Sequence, residues 1–358
     1  MKNTDYFSII EFNNCNVEEW DKFCLKSDDA WLWHTSHGIL SKSYWINHFN
    51  QSFCIIDKSN KNQIVAICPL FLIKRRKIID YSVLDSLGGP AISSSISERK
   101  INKITTLINE YLLNVLKKYK VNKCEFFLSS LSNSIIKNRR LIPNPLGPYL
   151  SIDKSSFTWL KNIKNLTNQQ IFDTFSSNAK SLIKKNEKSL LFQKVNKNEG
   201  TKFLKIYYDL HQKTSSRKKI NTHNFKYFEY IFLNIPQQYK NIFYVSTQEK
   251  ILSISIFGVY KKNVIYWSNV SDSDGLKLGS NYFSMWNAIK YFNKQKVENI
   301  EFGEGFFQNE EKGKLFLNHF KKSFGGVKFP LYRGEKIISK SKDFFFNILR
   351  DIKNFKVR

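Results

Sequence analysis

Hydrophobic and polar positions along the chain fall into two rhythms that alternate. The runs SFCIID and QIVAICPLFLIKRRKIIDYSVLDSLGGP are apolar and β-branched, interrupted at Asp57–Asn62 and closed by Gly88–Pro90, which predicts successive strands. Through ERKINKITTLINEYLLNVLKKYK the spacing changes. Ile101, Ile104, Leu107, Ile108, Leu112, Val115 and Leu116 recur at helical intervals, and VNKCEFFLSS then returns to strand. Ahead of these lie a short strand near Tyr6–Phe12 and helical stretches around Glu18–Leu25 and Ser43–Phe49. Strands alternating with a long helix are the pattern of an α/β layer.

RRLIPNPLGPYLSID gathers three prolines and a glycine and predicts a linker or crossover. Beyond it the order recurs. A helix is expected from Asn168 to about Lys188, a strand at Leu190–Val195, and helices at Gly200–Thr214 and Asn224–Leu233. NIFYVSTQ, ILSISIFGVY and NVIYWSNV read as strands, followed by a helix over Ser280–Asn293 and the strand VENIEFG. A hairpin, a helix and a further strand thus occur in both halves, which predicts a duplicated α/β domain, although residue-level self-similarity is not evident. The expected boundaries are 1–150, 151–335 and a basic amphipathic tail at 336–358.

Composition supports this picture. The chain has 358 residues, 42% of them apolar, with 31 Phe and 17 Tyr, enough for two ordinary cores and against general disorder. Its formal charge of +27 has two readings. One is a surface for a polyanion, such as nucleic acid, a phosphorylated substrate or an anionic membrane; the other is a general abundance of Lys, Asn and Ile. Five scattered cysteines without a CxxC pair argue against a disulfide framework. The N-terminus has no signal-peptide core, and the longest apolar run, Ile64–Ile73, contains a proline and is too short to cross a bilayer. A cytoplasmic protein is expected, with a peripheral position at the inner membrane face left open.

Candidate chemistry concentrates in the second half. In SNVSDSDGLKLGSNYF a strand, a polar loop and a helix start follow one another, so the amides around Gly279, Ser280 and Asn281, with Lys277 beside them, form a candidate phosphate cradle. A plain strand–loop–helix connection reads the same way. Lys180 and Lys184 share a lysine-rich helical face, and His211 and Arg217 lie near a helix end; all four are candidate substrate contacts, with solvated charge as the alternative. The six histidines form no HExxH motif, and His34 and His37 lack a third ligand nearby, so no metal site is expected. Nor is there a GxGxxG, Walker A or GxSxG motif. ENIEFGEGFFQNEEKGKLFLNHFKKSFGG sets Glu301, Glu304, Glu310 and Glu311 ahead of His319, Lys321 and Lys322.

Taken in order, WLWHTSHGILSKSYW, ICPLFLIKRR, SLGGPAI, SNAKSLIKKNEKS, LHQKTSSRKKI, LSISIFGVYKKNVIYWSNVSD, GSNYFSMWNAIKYF, IEFGEG and FKKSFGG resemble the FemAB-like acyl and aminoacyl transferases. The order runs from about Trp31 to Gly326; the family's DFG-like strand end stands here as Glu301-Phe302-Gly303, and its FKxxFG as Phe320 to Gly325. The coiled-coil arm of some bridge-forming members is not visible, and the usual GNAT pyrophosphate loop has Lys277–Asn281 as its nearest analogue. The resemblance implies two tandem GNAT-fold domains of mixed α/β structure and transfer of an acyl or aminoacyl group to an amine. Acyl-CoA or aminoacyl-tRNA would be a co-substrate, with no permanently bound cofactor.

Such a transfer needs a neutral amine, a polarised carbonyl and a proton path. Lys321 is the leading candidate for stabilising developing negative charge or gripping a phosphate. Glu304 is a candidate acceptor of the amine proton, Glu301 an alternative acceptor or a structural strand-end residue, and Tyr282 a candidate proton donor or a core tyrosine. The first functional reading is an N-acyltransferase acting on an amino sugar or a nucleotide- or lipid-linked cell-envelope glycan precursor. The second is an aminoacyl-tRNA-dependent ligase, and the third a non-catalytic glycan- or nucleic-acid-binding protein. At the C-terminus Phe345, Ile348, Leu349, Ile352 and Phe355 share one helical face, as expected of a membrane-surface helix or of one docked on the protein itself.

Overall fold

The computed structural model describes residues 6–76, 80–138, 143–218, 221–307 and 312–355. It divides into two compact units, residues 1–156 with 331–358, and residues 157–330. Residues 139–142 of the proline-rich linker, together with Glu310 and Glu311, lie outside the described residues.

In the first unit, strands β1 (Phe7–Glu11), β2 (His48–Asn50), β3 (Phe53–Asp57), β4 (Gln63–Cys68), β5 (Phe71–Arg76), β6 (Asp80–Leu87), β7 (Ala91–Ile92), β8 (Lys123–Phe127) and β9 (Ile152–Asp153) are interspersed with helices. These are α1 (Val17–Lys26), α2 (Ser36–Ser43), α3 (Glu98–Lys118) and α4 (Asn133–Lys137). The second unit contains β10 (Ser156–Asn162), α5 (Asn168–Asp173), α6 (Ser177–Asn186), β11 (Leu191–Lys194), α7 (Gly200–Lys218) and α8 (Phe225–Glu229). It continues through β12 (Lys240–Ser246), β13 (Ile251–Tyr260), β14 (Asn263–Ser271), α9 (Ser273–Leu278), α10 (Ser280–Lys294), β15 (Asn299–Glu304), α11 (Lys312–Lys322) and β16 (Val327–Leu331). The chain then returns to the first unit as β17 (Arg333–Ile337) and α12 (Lys340–Phe355), so residues 336–358, expected to stand apart as a tail, form part of that unit.

The first unit has two sheets, ordered β1-β3-β4-β7 and β2-β5-β6-β8-β17-β9. α3 connects β6 to β8, which pair in parallel, and its stripe Ile104, Ile108, Leu112 and Val115 closes the core over Leu72, Leu84, Cys124 and Phe126. His34 is buried; its Nδ1 accepts from the Trp31 N–H at 3.1 Å and its Nε2 donates to the Gly89 carbonyl at 3.0 Å. Both ring nitrogens of this histidine therefore serve packing. Cys15 and Cys54, remote in sequence, meet with sulfurs 2.9 Å apart. The second unit is one seven-stranded sheet, β11-β12-β13-β14-β15-β10-β16, in which β14 and β15 pair in parallel. Its core joins Ala179 and Ile183 of α6, Trp286, Ile289 and Phe292 of α10, and Phe302 and Phe324.

Three expectations change for local reasons. The helix foreseen at Ser43–Phe49 ends as α2 at Ser43, because Asn47 takes a positive φ of 61° and turns the chain into β2. The helix foreseen over Asn168–Lys188 is two helices, since Ser176 accepts from the Ala179 amide and caps a new start. The polar loop before Ser280 contains a helix, α9, capped by Asp272 accepting from the Gly275 amide at 2.5 Å.

Candidate active site

The parallel ladder between β14 and β15 runs only from Asn263↔Asn299 to Ile265↔Glu301. Both strands then meet irregularities. Ile256 faces Ser268 while Phe257 faces Tyr266, so Trp267 is an extra residue in β14. On the other side Thr158 faces Glu304 and Leu160 faces Glu301, so β15 carries an extra residue against β10. Bulges bend strands and re-aim their side chains. The ladder thus ends in a fork, with IEFGEG forming its β15 arm.

Two glycines shape that arm. Gly303 has φ of 94°, a conformation costly for any other residue, and a Cβ there would stand 3.5 Å from the Lys321 Nζ. At Gly305 a Cβ would stand 1.9 Å from the Phe157 ring, so only glycine fits. Asn318 of α11 clamps the turn that follows: its Oδ1 accepts from the Phe306 amide at 3.0 Å and its Nδ2 donates to the Phe306 carbonyl at 2.6 Å. Trp159 donates to the same Asn318 Oδ1 at 3.1 Å. Three residues on, Lys321 occupies the same side of α11.

Lys321 donates to the Glu304 carbonyl and sits 5.3 Å from the centre of the Phe306 ring. Burial lowers its pKa from 10.5 to about 8, against the opposing pull of the Glu304 and Glu301 carboxylates. Glu301 is itself buried, and its carboxylate accepts from the Thr158 hydroxyl at 2.8 Å. The structure therefore gathers Lys321, Glu304 and Glu301, with Glu301 in a supporting position beneath and Glu304 half-buried at the fork. Tyr282 lies on another side of α11, edge-on to Phe320 and against Phe324. Burial raises its pKa, with a hydrogen bond to Ser323 opposing, as befits a core tyrosine.

At the candidate phosphate cradle the side chains are packed. Gly279 is the left-handed cap of α9, covered by Leu182, and the Asn186 side chain donates to the Leu278 carbonyl at 2.7 Å. Ser280 is fully buried with its hydroxyl on Ser253, and Asn281 accepts from Ser271 and Asn269. Lys277 is exposed in the last turn of α9. The Gly279 amide donates to the Leu276 carbonyl at 3.1 Å, and the side chains of Ser280 and Asn281 are engaged within the protein.

The four substrate candidates also separate. α6 and α10 cover one face of the sheet, where Ser255 meets Ser284, while α7 covers the other, where Tyr207 meets Ser268 at 2.6 Å. Lys180 donates to the Asp173 carbonyl at the end of α5, and Lys184 is exposed on the same α6. Across the sheet His211 accepts from the His223 amide at 3.3 Å, and burial, with His223 beside it, lowers its pKa to about 4. Arg217 reaches the Ser271 carbonyl at 3.5 Å, near the β14 end of the fork.

A buried lysine beside this region went unread in the sequence. Lys161 of β10 donates to the Thr174 hydroxyl at 2.6 Å, directly under Gly325 of the FKKSFGG turn, where a Cβ would stand 2.8 Å from its Nζ. Burial lowers its pKa to about 8. Its place inside an apolar strand, SFTWLKN, hid it.

This architecture has relatives among solved structures. FemX aligns over 93% of this chain and 98% of its own, at a TM-score of 0.64 and 11% identity. Saccharomyces cerevisiae N-myristoyltransferase, solved with bound myristoyl-CoA, aligns over 94% of this chain and 80% of its own, at 0.53 and 10%. A tandem GNAT protein from the clavulanic acid biosynthesis pathway aligns over 92% and 98%, at 0.51 and 6%. At such identities the likeness is one of fold, and the class it defines is the tandem GNAT-type fold. Within it, residues 149–247 match the FemAB family, so that stretch is similar to FemAB proteins. No curated protein sequence matches it.

Proposed function

We propose that the chain transfers an acyl group from acyl-CoA to the amine of an amino sugar or of a nucleotide- or lipid-linked cell-envelope glycan precursor. The observation that carries this reading is the fork after Ile265↔Glu301, with the half-buried ammonium of Lys321 at its β15 arm. The amine nitrogen attacks the thioester carbon, its C–N bond forms, and the carbonyl oxygen becomes an oxyanion. Collapse breaks the C–S bond, the thiolate leaves, and the nitrogen gives up its proton.

Lys321 supplies a desolvated positive charge for the oxyanion, where a fixed donor in a water-poor site acts more strongly than in water. It stays charged at neutral pH because the Glu304 and Glu301 carboxylates oppose the effect of burial. Glu304 accepts the proton shed by the attacking nitrogen, directly or through one water. Positioning by the clamped 305–307 turn contributes the rest. The N-myristoyltransferase relative, described with bound myristoyl-CoA, supports a thioester donor on this fold.

A second reading, transfer from aminoacyl-tRNA, draws on the FemAB match and the charge of +27. The test is transfer from a panel of acyl-CoAs to amino-sugar acceptors, run beside charged tRNA. Acyl transfer that Lys321→Ala abolishes supports the first reading. Absence of both transfer and thermal shift across the panel rejects it, and tRNA-dependent transfer that weakens steeply with salt supports the second.

A further inference from the structure

Among the described side chains of α12, residues 340–349, docking contacts come from one side. Asp343 accepts from the Tyr81 hydroxyl and is held by Asn347 at 3.1 Å, while Phe346 stacks on the Tyr81 ring at 4.1 Å. Arg75 lies 5.6 Å from the same Phe346 ring. The opposite side carries Phe344, Phe345 and Ile348, which are 69%, 47% and 38% exposed. At about 100° per residue these three span an arc of about 100°, diametrically across from Asp343 and Phe346. Lys340 and Lys342, both exposed, flank that arc on its two sides.

The sole acid among the described side chains of α12, Asp343, is turned inward. Over residues 340–358 the sequence holds Lys340, Lys342, Lys353, Lys356, Arg350 and Arg358 against Asp343 and Asp351. Asp85 and Tyr81 project from the same face of β6, so α2, which reaches Asp85 through Lys42, covers the face on which α12 lies. The turn after α2 exposes Tyr44 and Ile46, at 40% and 61%.

We propose that the outer side of α12 is a docking surface for an anionic phospholipid bilayer. Its aromatic and aliphatic arc enters the headgroup boundary, and the flanking lysines stretch their stems along it to reach the lipid phosphates. The charge of the surface selects the partner. A face both apolar and basic complements an anionic membrane, whereas a second copy of the same face would set like charges together. The helix stays docked throughout, since the contacts to Tyr81 use the other side. The proposal is independent of the transfer reaction.

The experiment is sedimentation of the full chain with vesicles of phosphatidylcholine alone and of phosphatidylcholine with 30% phosphatidylglycerol (roughly the charge density of an anionic leaflet). The expected result is binding to the anionic vesicles, reduced at least tenfold by Phe344→Asp with Phe345→Asp and several-fold by Lys340→Glu with Lys342→Glu. Leu113→Asp, an exposed apolar position on α3, should leave binding unchanged and so controls for general charge and stickiness. Should the double aspartate variant fail to fold, Phe344→Trp gives a second readout, a blue shift of emission on adding anionic vesicles. Absence of vesicle binding overturns the proposal, as does binding that the α12 variants leave intact or that neutral vesicles match. A concentration-dependent dimer lost in the same variants, without vesicle binding, assigns the surface to a second copy and overturns it equally.

Discussion

Both units contain a hairpin, a helix and a parallel strand, β5-β6/α3/β8 in the first and β13-β14/α10/β15 in the second. Each parallel strand is flanked by an antiparallel one from elsewhere in the chain, β17 beside β8 and β10 beside β15. The two differ in how far the parallel pair stays zipped. β6 and β8 pair from Val83↔Lys123 to Leu87↔Phe127, the last residue of both strands, whereas β14 and β15 part after Ile265↔Glu301. Charge follows the same division. Asp85 of β6 is buried against Lys42 in a matched ion pair, while Lys321, beside β15, is held by a carbonyl with its ammonium only partly compensated. A closed ladder satisfies its backbone groups and a matched pair satisfies its charges. The second unit has the shorter ladder and the less fully matched charge, and the transfer site proposed above is placed there on that contrast.

The largest expected effect tests the closed copy. Lys42→Met leaves the Asp85 carboxylate buried without its partner, and chemical denaturation should show a loss of roughly 3–5 kcal/mol. Stability equal to that of the unaltered chain would mean the pair is not the closed element described. At the fork, Lys321→Ala should cost about 100- to 1000-fold in kcat/KM for transfer with no loss of stability. Because the ammonium is the working form, activity should fall as pH rises through about 8. Lys321→Arg should remove that alkaline fall, and an unchanged limb would assign it to another group.

Buried lysines give a third contrast. Lys161, Lys240 and Lys321 of the second unit release their protons near pH 8 when folded but at 10.5 when unfolded. The unfolded chain therefore binds more protons between those values, so stability should rise from pH 8 to 10.5 as the cost of burying charge disappears. Each lysine contributes at most about 3 kcal/mol. Urea titrations across that range should show the rise, smaller in Lys161→Met. The smallest effect belongs to the clamp: Asn318→Ala should cost about 1–2 kcal/mol locally. Faster hydrogen exchange at the Phe306 amide would report it, and unchanged exchange would show the turn holding itself.

Much of this was legible from periodicity. α3, the strands around it and the repeated hairpin–helix–strand order stand out because each half buries one apolar face at a regular interval. FKKSFGG and IEFGEG led to Lys321, Glu304 and Glu301 through their place in the FemAB-like order, since their charge contrast alone supports only a strand, a loop and a core element. Less visible was anything decided by register. Where a ladder stops depends on the placement of Trp267 and Gly303 against their neighbours, which one strand alone does not encode. The glycine-bearing loop before Ser280 read as irregular because its residues are small and polar; it holds the helix α9, and Leu182, Ser253 and Asn269 engage the residues that follow. For α12 the apolar set was visible but the docking side was not. Phe345 and Ile348 are exposed, Phe346 makes the contact, and the side chains of Ile352 and Phe355 lie outside the described residues.

The position of β17 has a consequence for synthesis. It lies between β8 and β9, yet its residues follow the whole of the second unit in the chain. A ribosome must therefore translate through Ile337 before the six-stranded sheet can close. Until then β8 presents an unpaired edge, the kind of template on which nascent chains join one another. Stalled chains ending at Pro330 should need chaperone protection that chains ending after Ile337 do not, and pulse proteolysis of the two would show whether the last strand acts as the latch on the first domain.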